Sequence, residues 1–124
     1  MTAQDAGHGS ERRAQLLRGS LDLCVLAAVD QRPGHAYELA SRLADAGLGD
    51  VSYGTVYPLI TRLRRAGLLL EQQEPSPVGP PRKVFSLTDA GRAALRDWLA
   101  QWRRSTSDVE SVLRATGVWA ARTP

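Results

Sequence analysis

The sequence has few of the residues that build disulfide scaffolds, metal clusters or membrane spans. Its 124 residues include one cysteine and two histidines. A lone Cys24 cannot form an intramolecular disulfide, and its apolar neighbours favour a small buried thiol. His8 and His35 have no Cys or carboxylate cluster at ligand spacing, so we expect no metal site. No apolar run approaches the roughly 20 residues that cross a bilayer, so we expect no membrane partner.

Motifs of catalysis and export are also lacking. No Gly-rich phosphate loop followed by Lys and Ser/Thr occurs, and nothing indicates an activated Ser nucleophile. We therefore expect neither an enzyme nor a cofactor. The polar N-terminus has no charged start before an apolar block, so we expect no secretory signal and a cytoplasmic protein. The length suits one compact domain.

Lysine is nearly absent as well. Of the 16 cationic side chains, only Lys83 is a lysine, and the formal net charge is +3. The planar fork of arginine suits phosphates and guanine edges, which favours nucleic acid weakly. Codon usage in a GC-rich genome explains the same bias equally well.

What is present begins with helical patterns. We expect residues 1–14 to form a disordered tail. The stretch from Leu21 to Val29 is almost entirely apolar, and a helix that is apolar on all sides must be buried on all sides. In so small a chain this indicates that a second subunit covers one face. A second helix is predicted from Gly34 or His35 to Ala46. Its apolar stripe comprises Tyr37, Leu39, Ala40, Leu43 and Ala44.

A third helix and a hairpin follow. Ser52 is a strong N-cap for a helix over 53–66, and Gly67 provides its left-handed stop. Two short strands are predicted over 68–73 and 83–87, separated by a proline-rich tip. Thr88 then caps a fourth helix over 89–104, and a helical pattern resumes over 108–116 after Ser105, Thr106 and Ser107.

These elements predict a mainly α fold with a small β-hairpin, the winged helix-turn-helix. In that module the second helix of the pair enters the major groove of duplex DNA and its first residues meet base edges. Unpaired N–H groups at the helix start also favour a phosphate. The predicted DNA-binding residues at the helix start are Ser52, Tyr53, Gly54, Thr55 and Tyr57. The predicted cationic contacts are Arg62, Arg64, Arg65, Arg82 and Lys83.

Pro58 breaks a local rule, since it lies past the first turn of the third helix and deprives the Gly54 carbonyl of its helical donor. A functional site and a packing kink are equal explanations. The module as a whole also has an alternative, because winged helices serve as ligand- or protein-binding adaptors without DNA binding.

Several runs resemble the PadR-like family of transcriptional regulators. The first is Leu16-Leu17-Arg18-Gly19-Ser20-Leu21-Asp22-Leu23, and the second is Pro33-Gly34-His35-Ala36-Tyr37-Glu38-Leu39, in which Ala36 replaces a usual glycine. The strongest signal combines Val51-Ser52-Tyr53-Gly54-Thr55-Val56-Tyr57-Pro58 with Leu87-Thr88-Asp89-Ala90-Gly91. The resemblance covers about residues 16–116.

The resemblance implies a homodimeric regulator, usually a repressor, that binds an operator of inverted half-sites. It also implies that the N-terminal and C-terminal helices form the dimer interface, and it accounts for Pro58. We accordingly expect a DNA-binding domain over 15–88, a dimerisation region over 89–116 and a tail over 117–124. Family wings often have a Gly- and Arg-rich tip, whereas this one has four prolines, which argues against a flexible minor-groove contact.

Some similar regulators bind flat aromatic effectors between subunits, stacked on a tryptophan of the C-terminal helix. Trp102 matches that position best, with Trp98 one turn earlier, and aromatic faces hold planar or cationic molecules. Packing offers the simpler explanation, because tryptophans spaced i, i+4 beside Leu95 and Leu99 form a dimerisation stripe.

Overall fold

The computed structural model describes residues 3–121, and the chain is mainly helical with one small hairpin, as the sequence predicts. In chain order the elements are α1 (Ala3–Leu17), α2 (Leu21–Gln31), α3 (Ala36–Asp45), α4 (Tyr53–Arg65), β1 (Leu69–Glu74), β2 (Arg82–Leu87), α5 (Asp89–Ala115) and α6 (Val118–Ala121).

Both chain ends differ from the predicted tails. Helix α1 occupies most of the range 1–14 that was expected to be disordered, and α6 occupies part of 117–124. Residues 1, 2 and 122–124 lie outside the described part of the chain. Arg13 forms an ion pair with Asp50 in the loop before α4, which gives α1 a tertiary contact that local polarity does not reveal. This contact lowers the pKa of the Asp50 carboxyl.

The core lies where α2, α3 and α4 meet the base of the hairpin. Val25, Leu26 and Leu39 are fully buried there, as are Val56 and Ile60 on α4. Helix α2 is not covered on all sides, because Ala27 is exposed and Cys24 is half-buried. Burial raises the pKa of the Cys24 thiol.

The turn between α3 and α4 positions the predicted recognition helix. Gly47 adopts a φ of +135° in this turn, a conformation that side chains disfavour. The backbone N–H of Leu48 then donates to the carbonyl of Leu43 at 2.9 Å. Ser52 stands at the N-cap of α4 as predicted, but its hydroxyl lies 3.3 Å from that of Thr55 and makes no cap bond to backbone.

The hairpin is the wing, and it is anchored at its base. Strands β1 and β2 pair antiparallel from Leu69 opposite Leu87 to Glu74 opposite Arg82. Phe85 also exchanges two backbone hydrogen bonds with Gly34, at 2.9 and 3.2 Å. This bridge holds the wing against the start of α3, and the buried Phe85 side chain joins the core.

The long helix α5 starts from a hydrogen-bonded junction. The Thr88 hydroxyl donates to the carbonyl of Gly67 at 2.7 Å and accepts from the N–H of Gly91 at 2.9 Å. The helix continues to Ala115, so the predicted end at residue 104 is wrong. The Thr106 hydroxyl donates to the carbonyl of Trp102, one turn back, and so competes little with helical structure.

Candidate DNA-binding surface

The leading end of α4 faces solvent. Four residues at or near this end have exposed side chains or, for Gly54, an exposed backbone; they are Ser52, Tyr53, Gly54 and Thr55. Tyr57, one turn later, is 38% exposed. The opposite face carries the buried Val56 and Ile60, which fix the helix on the core. The amphipathic pattern of α4 therefore presents its small and hydroxyl-bearing residues outward.

The outermost face of α4 is low in profile. A Cβ atom at Gly54 would have only the Ser52 hydroxyl within 4 Å, at 3.7 Å, so its surroundings are open. Pro58 follows one turn later and is exposed, and it leaves the helix unbroken from Tyr53 to Arg65. Short side chains on such a face permit close approach to another surface.

The cationic residues predicted to flank this face do not all behave alike. Arg62 and Arg65 are exposed, and within residues 3–121 neither forms an ion pair. Arg64 instead places its Nε atom 3.5 Å from a carboxylate oxygen of Glu71 on β1. This pair holds α4 to the wing and partly neutralises Arg64, which makes Arg64 a weaker anion-binding residue than its neighbours.

The wing adds two more cations on its second strand. Arg82 and Lys83 are exposed, and the described part of the chain supplies no carboxylate partner to either. They lie on β2 beyond the anchored Phe85 and line a cleft of about 520 Å³ together with Tyr53 and Tyr57. The structure thus brings four of the predicted residues to one cleft, two from α4 and two from the wing. The other six predicted residues do not line it; they are Ser52, Gly54, Thr55, Arg62, Arg64 and Arg65.

The prediction that Tyr37 belongs to the buried apolar stripe of α3 is wrong. The Tyr37 side chain is 67% exposed rather than buried with Leu39 and Leu43. Its ring centroid lies 5.8 Å from that of Tyr53, which in turn lies 5.6 Å from that of Tyr57. The sequence does not identify Tyr37 as a surface residue of the site, because the apolar pattern counts tyrosine as apolar. Its position one residue after the buried Ala36 nevertheless places it off the core-facing side of α3.

His35 sets the start of α3 beside these tyrosines. Its Nδ1 atom accepts from the N–H of Glu38 at 3.3 Å, and the Glu38 carboxylate accepts from the N–H of His35 at 3.2 Å. This reciprocal capping box fixes the first turn of the helix. The hydrogen bond from the His35 backbone lowers the pKa of Glu38.

A second concave region lies between α5 and the start of α2. This groove has a volume of about 710 Å³ and contains all three tryptophans of the chain. Trp98 packs partly against the core, whereas Trp102 is 48% exposed. Trp119 lies on α6, within the predicted tail over 117–124, and also lines the groove. The centroid of its ring lies 5.2 Å from the Arg114 guanidinium carbon.

Within residues 3–121, no three His, Cys, Asp or Glu side chains lie close enough to hold a metal ion. No helix of this described range is long and apolar enough to span a bilayer.

Solved structures of similar regulators share this architecture. A Streptococcus transcriptional regulator is 37% identical with a TM-score of 0.71, and the match covers 79% of this chain and 96% of that chain. A PadR family regulator of Eggerthella lenta is 32% identical with a TM-score of 0.81, covering 90% and 97%. A PadR-like regulator of Bacillus cereus is 32% identical with a TM-score of 0.71, covering 80% and 96%.

A sequence relative agrees with these structures. A transcriptional regulator of Mycobacterium tuberculosis is 36% identical over 80 residues, which are 64% of this chain and 73% of the relative. The family model described as transcriptional regulator PadR-like matches residues 25–97, which include α3, α4, the wing and the start of α5. The family is one of regulators rather than enzymes, and this chain belongs to it.

Proposed function

We propose that this protein binds duplex DNA through the leading end of α4 and represses transcription. The supporting observation is that this end is exposed, with Ser52, Gly54 and Thr55 facing outward. Arg62 and Arg65, which form no ion pair within residues 3–121, lie further along the same helix. A B-DNA major groove admits one helix of this shape. Arg62 and Arg65 on α4 and Lys83 on the wing supply the positive charge that phosphates require.

The proposed DNA contact is tested with a duplex selected from a random-sequence library by the wild-type protein. Fluorescence anisotropy at several salt concentrations gives both affinity and the number of phosphates neutralised. The double variant Arg62→Ala, Arg65→Ala is expected to weaken binding to selected and random duplexes alike, and to reduce the salt slope by about 2. Arg104→Ala, an exposed cation on α5, is the matched control.

Two results would contradict the proposal. The first is failure of the wild-type protein to select or bind any duplex. The second is an unchanged affinity and salt slope in the double variant, which would move the DNA-binding surface away from α4.

We also propose that the active form is a homodimer that binds inverted half-sites. The support is an uncovered apolar strip on α5 and the adjoining ends of the chain, which a single copy leaves in contact with water. Its members are Leu16, Trp102, Val109, Val112 and Trp119, each at least 44% exposed. Contiguous apolar patches of this kind mark association surfaces, and a twofold pair would present two copies of α4 to one duplex.

A planar aromatic effector is the finer proposal for the groove between α2 and α5. The groove offers the faces of Trp98 and Trp102, and Trp119 adds a third ring to the same lining. Aromatic faces stack on flat molecules and attract cationic ones. Trp102 is 48% exposed, so its ring is open to a ligand or to a partner subunit, whereas a side chain that served the core of one subunit alone would be buried.

Intrinsic tryptophan fluorescence tests the effector proposal. Titration with planar cationic dyes is expected to quench the emission, and Trp102→Phe is expected to weaken the measured affinity while leaving the thermal unfolding transition in place. Absence of quenching across a panel of planar compounds would leave packing and dimerisation as the role of these tryptophans.

A further inference from the structure

The cleft between the three tyrosines and the wing has a composition suited to a second kind of DNA contact. One wall is the continuous row of Tyr37, Tyr53 and Tyr57 rings, and the other carries Arg82 and Lys83. The floor includes the buried Phe85. No carboxylate lines this cleft among the residues that the structure describes, so its polar groups suit an anion.

The tyrosine row lies beside the outward face of α4 rather than on it. Tyr53 and Tyr57 are four residues apart and share one side of the helix, whereas Gly54 and Pro58 are turned from them by one residue, or about 100°. A duplex that presents its bases to the Gly54 face of α4 therefore presents the edge of its groove, and not its bases, to the cleft. The edge of a DNA groove is the sugar-phosphate backbone.

We propose that this cleft holds the sugar-phosphate backbone of one DNA strand, with Tyr37 as a contact residue contributed by α3; this rests on the DNA binding proposed above. Tyrosine hydroxyls donate to phosphate oxygens while the rings pack on deoxyribose, and Lys83 and Arg82 neutralise the phosphate charge from the opposite wall. The three rings support one another, so the strand meets a preformed wall instead of separate flexible side chains.

The test separates hydroxyl, ring and charge on the same library-selected duplex. Tyr37→Phe removes a hydrogen bond to a charged group and is expected to weaken binding about tenfold. Tyr37→Ala is expected to weaken it further, because the ring contact is also lost. Neither variant removes a charge, so both keep the wild-type salt slope, whereas Lys83→Ala reduces that slope by about 1.

Single methylphosphonate substitutions in the duplex locate the contact. Replacing the contacted phosphate is expected to weaken binding by the wild-type protein about tenfold more than binding by Tyr37→Phe, since that variant has already lost the hydrogen bond and has only the charge contacts left to lose. Arg104→Ala serves again as the control for charge outside the cleft. The fold of each variant is checked by its thermal transition, which Tyr37 substitutions are expected to preserve because this side chain is 67% exposed.

The possible failures are distinct. If the wild-type protein binds the duplex and both Tyr37 variants bind it equally well, the backbone assignment is wrong while the DNA-binding role of α4 stands. If the wild-type protein binds no duplex, the proposed function and the cleft assignment fall together.

Discussion

At Gly91 the packing of α5 against the end of α4 leaves no room for a side chain. A Cβ atom there would lie 2.1 Å from the carbonyl oxygen of Leu68, which is backbone and cannot rotate away. The same Gly91 N–H binds the Thr88 hydroxyl that caps α5. The absence of a side chain, rather than backbone flexibility, is therefore what this position requires.

We predict that Gly91→Ala lowers the free energy of unfolding by about 2 kcal/mol, the cost typical of forcing an extra methyl group into a packed site. Urea denaturation followed by circular dichroism measures it. Gly19→Ala is the matched control, because a Cβ at Gly19 meets nothing within 4 Å. Equal stability of the two variants would show that α5 moves away from the Leu68 carbonyl at no cost in free energy.

Glu38 provides a pH-dependent contribution at the residue scale. The His35 backbone N–H lowers its pKa in the folded state, with smaller electrostatic contributions from His35 and from two arginines. A carboxyl whose folded pKa lies below its unfolded value stabilises the fold above the unfolded value and loses that contribution as the pH falls through the folded one.

The variant Glu38→Gln is accordingly expected to be less stable near neutral pH by less than about 1 kcal/mol, because the carboxylate is partly exposed. Gln retains an oxygen that accepts the same hydrogen bond but has no charge near the helix start. The difference should be lost as the pH falls through the lowered folded-state pKa of Glu38. Glu74→Gln is the control, and a deficit that persists in acid would assign the effect to packing.

At the scale of elements, period and capping residues predicted α4, the wing and the start of α5 well. Thr88 caps α5 as expected, since its hydroxyl accepts from the Gly91 N–H. The remaining differences concern contacts distant in sequence. The ion pair between Arg13 and Asp50 joins residues 37 positions apart, and the pairing of Arg64 with Glu71 depends on how β1 folds back on α4.

Predictions from local sequence patterns were wrong at side chains whose hydroxyl and apolar parts favour different surroundings. The Ser-Thr-Ser run at 105–107 predicts an interruption, but these residues are helical, and hydroxyls of α5 donate to carbonyls one turn back at Trp102 and Ser107. The apolar pattern of α3 predicts a buried Tyr37 because it counts the ring as apolar and ignores the hydroxyl, whereas the side chain is 67% exposed. The candidate site was thus predictable on α4 and the wing, and its contribution from α3 was not.

For α4 itself we predict that Thr55→Ala reduces discrimination between selected and random duplexes without changing the salt slope. A hydroxyl at the leading end reads base edges and carries no charge, so its loss removes specificity and not counterion release. The measurement is the ratio of the two affinities, expected to fall about tenfold. Thr61→Ala, six residues further along α4, is the matched control, and an unchanged ratio for Thr55→Ala would contradict a base-reading role.

At the scale of the whole molecule, the junction at Thr88 joins the two proposed binding elements. One hydroxyl bonds to the end of α4 at Gly67 and caps α5, so the two helices share a fixed joint. In the proposed homodimer, the pairing of two α5 helices therefore sets the spacing between two copies of α4. Half-site spacing in DNA follows from that geometry.

Disrupting the apolar strip of α5 should consequently affect DNA binding without touching α4. Val109 and Val112 are 58% and 61% exposed, so Val109→Asp with Val112→Asp places two charges on the strip at little cost to the single chain. We expect sedimentation velocity to show monomers, and affinity for a selected inverted repeat to fall at least about 100-fold through loss of bivalency. Affinity for a single half-site should stay near the wild-type value.

Ser107→Asp with Ser111→Asp adds the same charges to the other side of α5 and should leave the dimer intact. A monomeric double variant with wild-type affinity for the inverted repeat would show that one copy of α4 suffices for recognition.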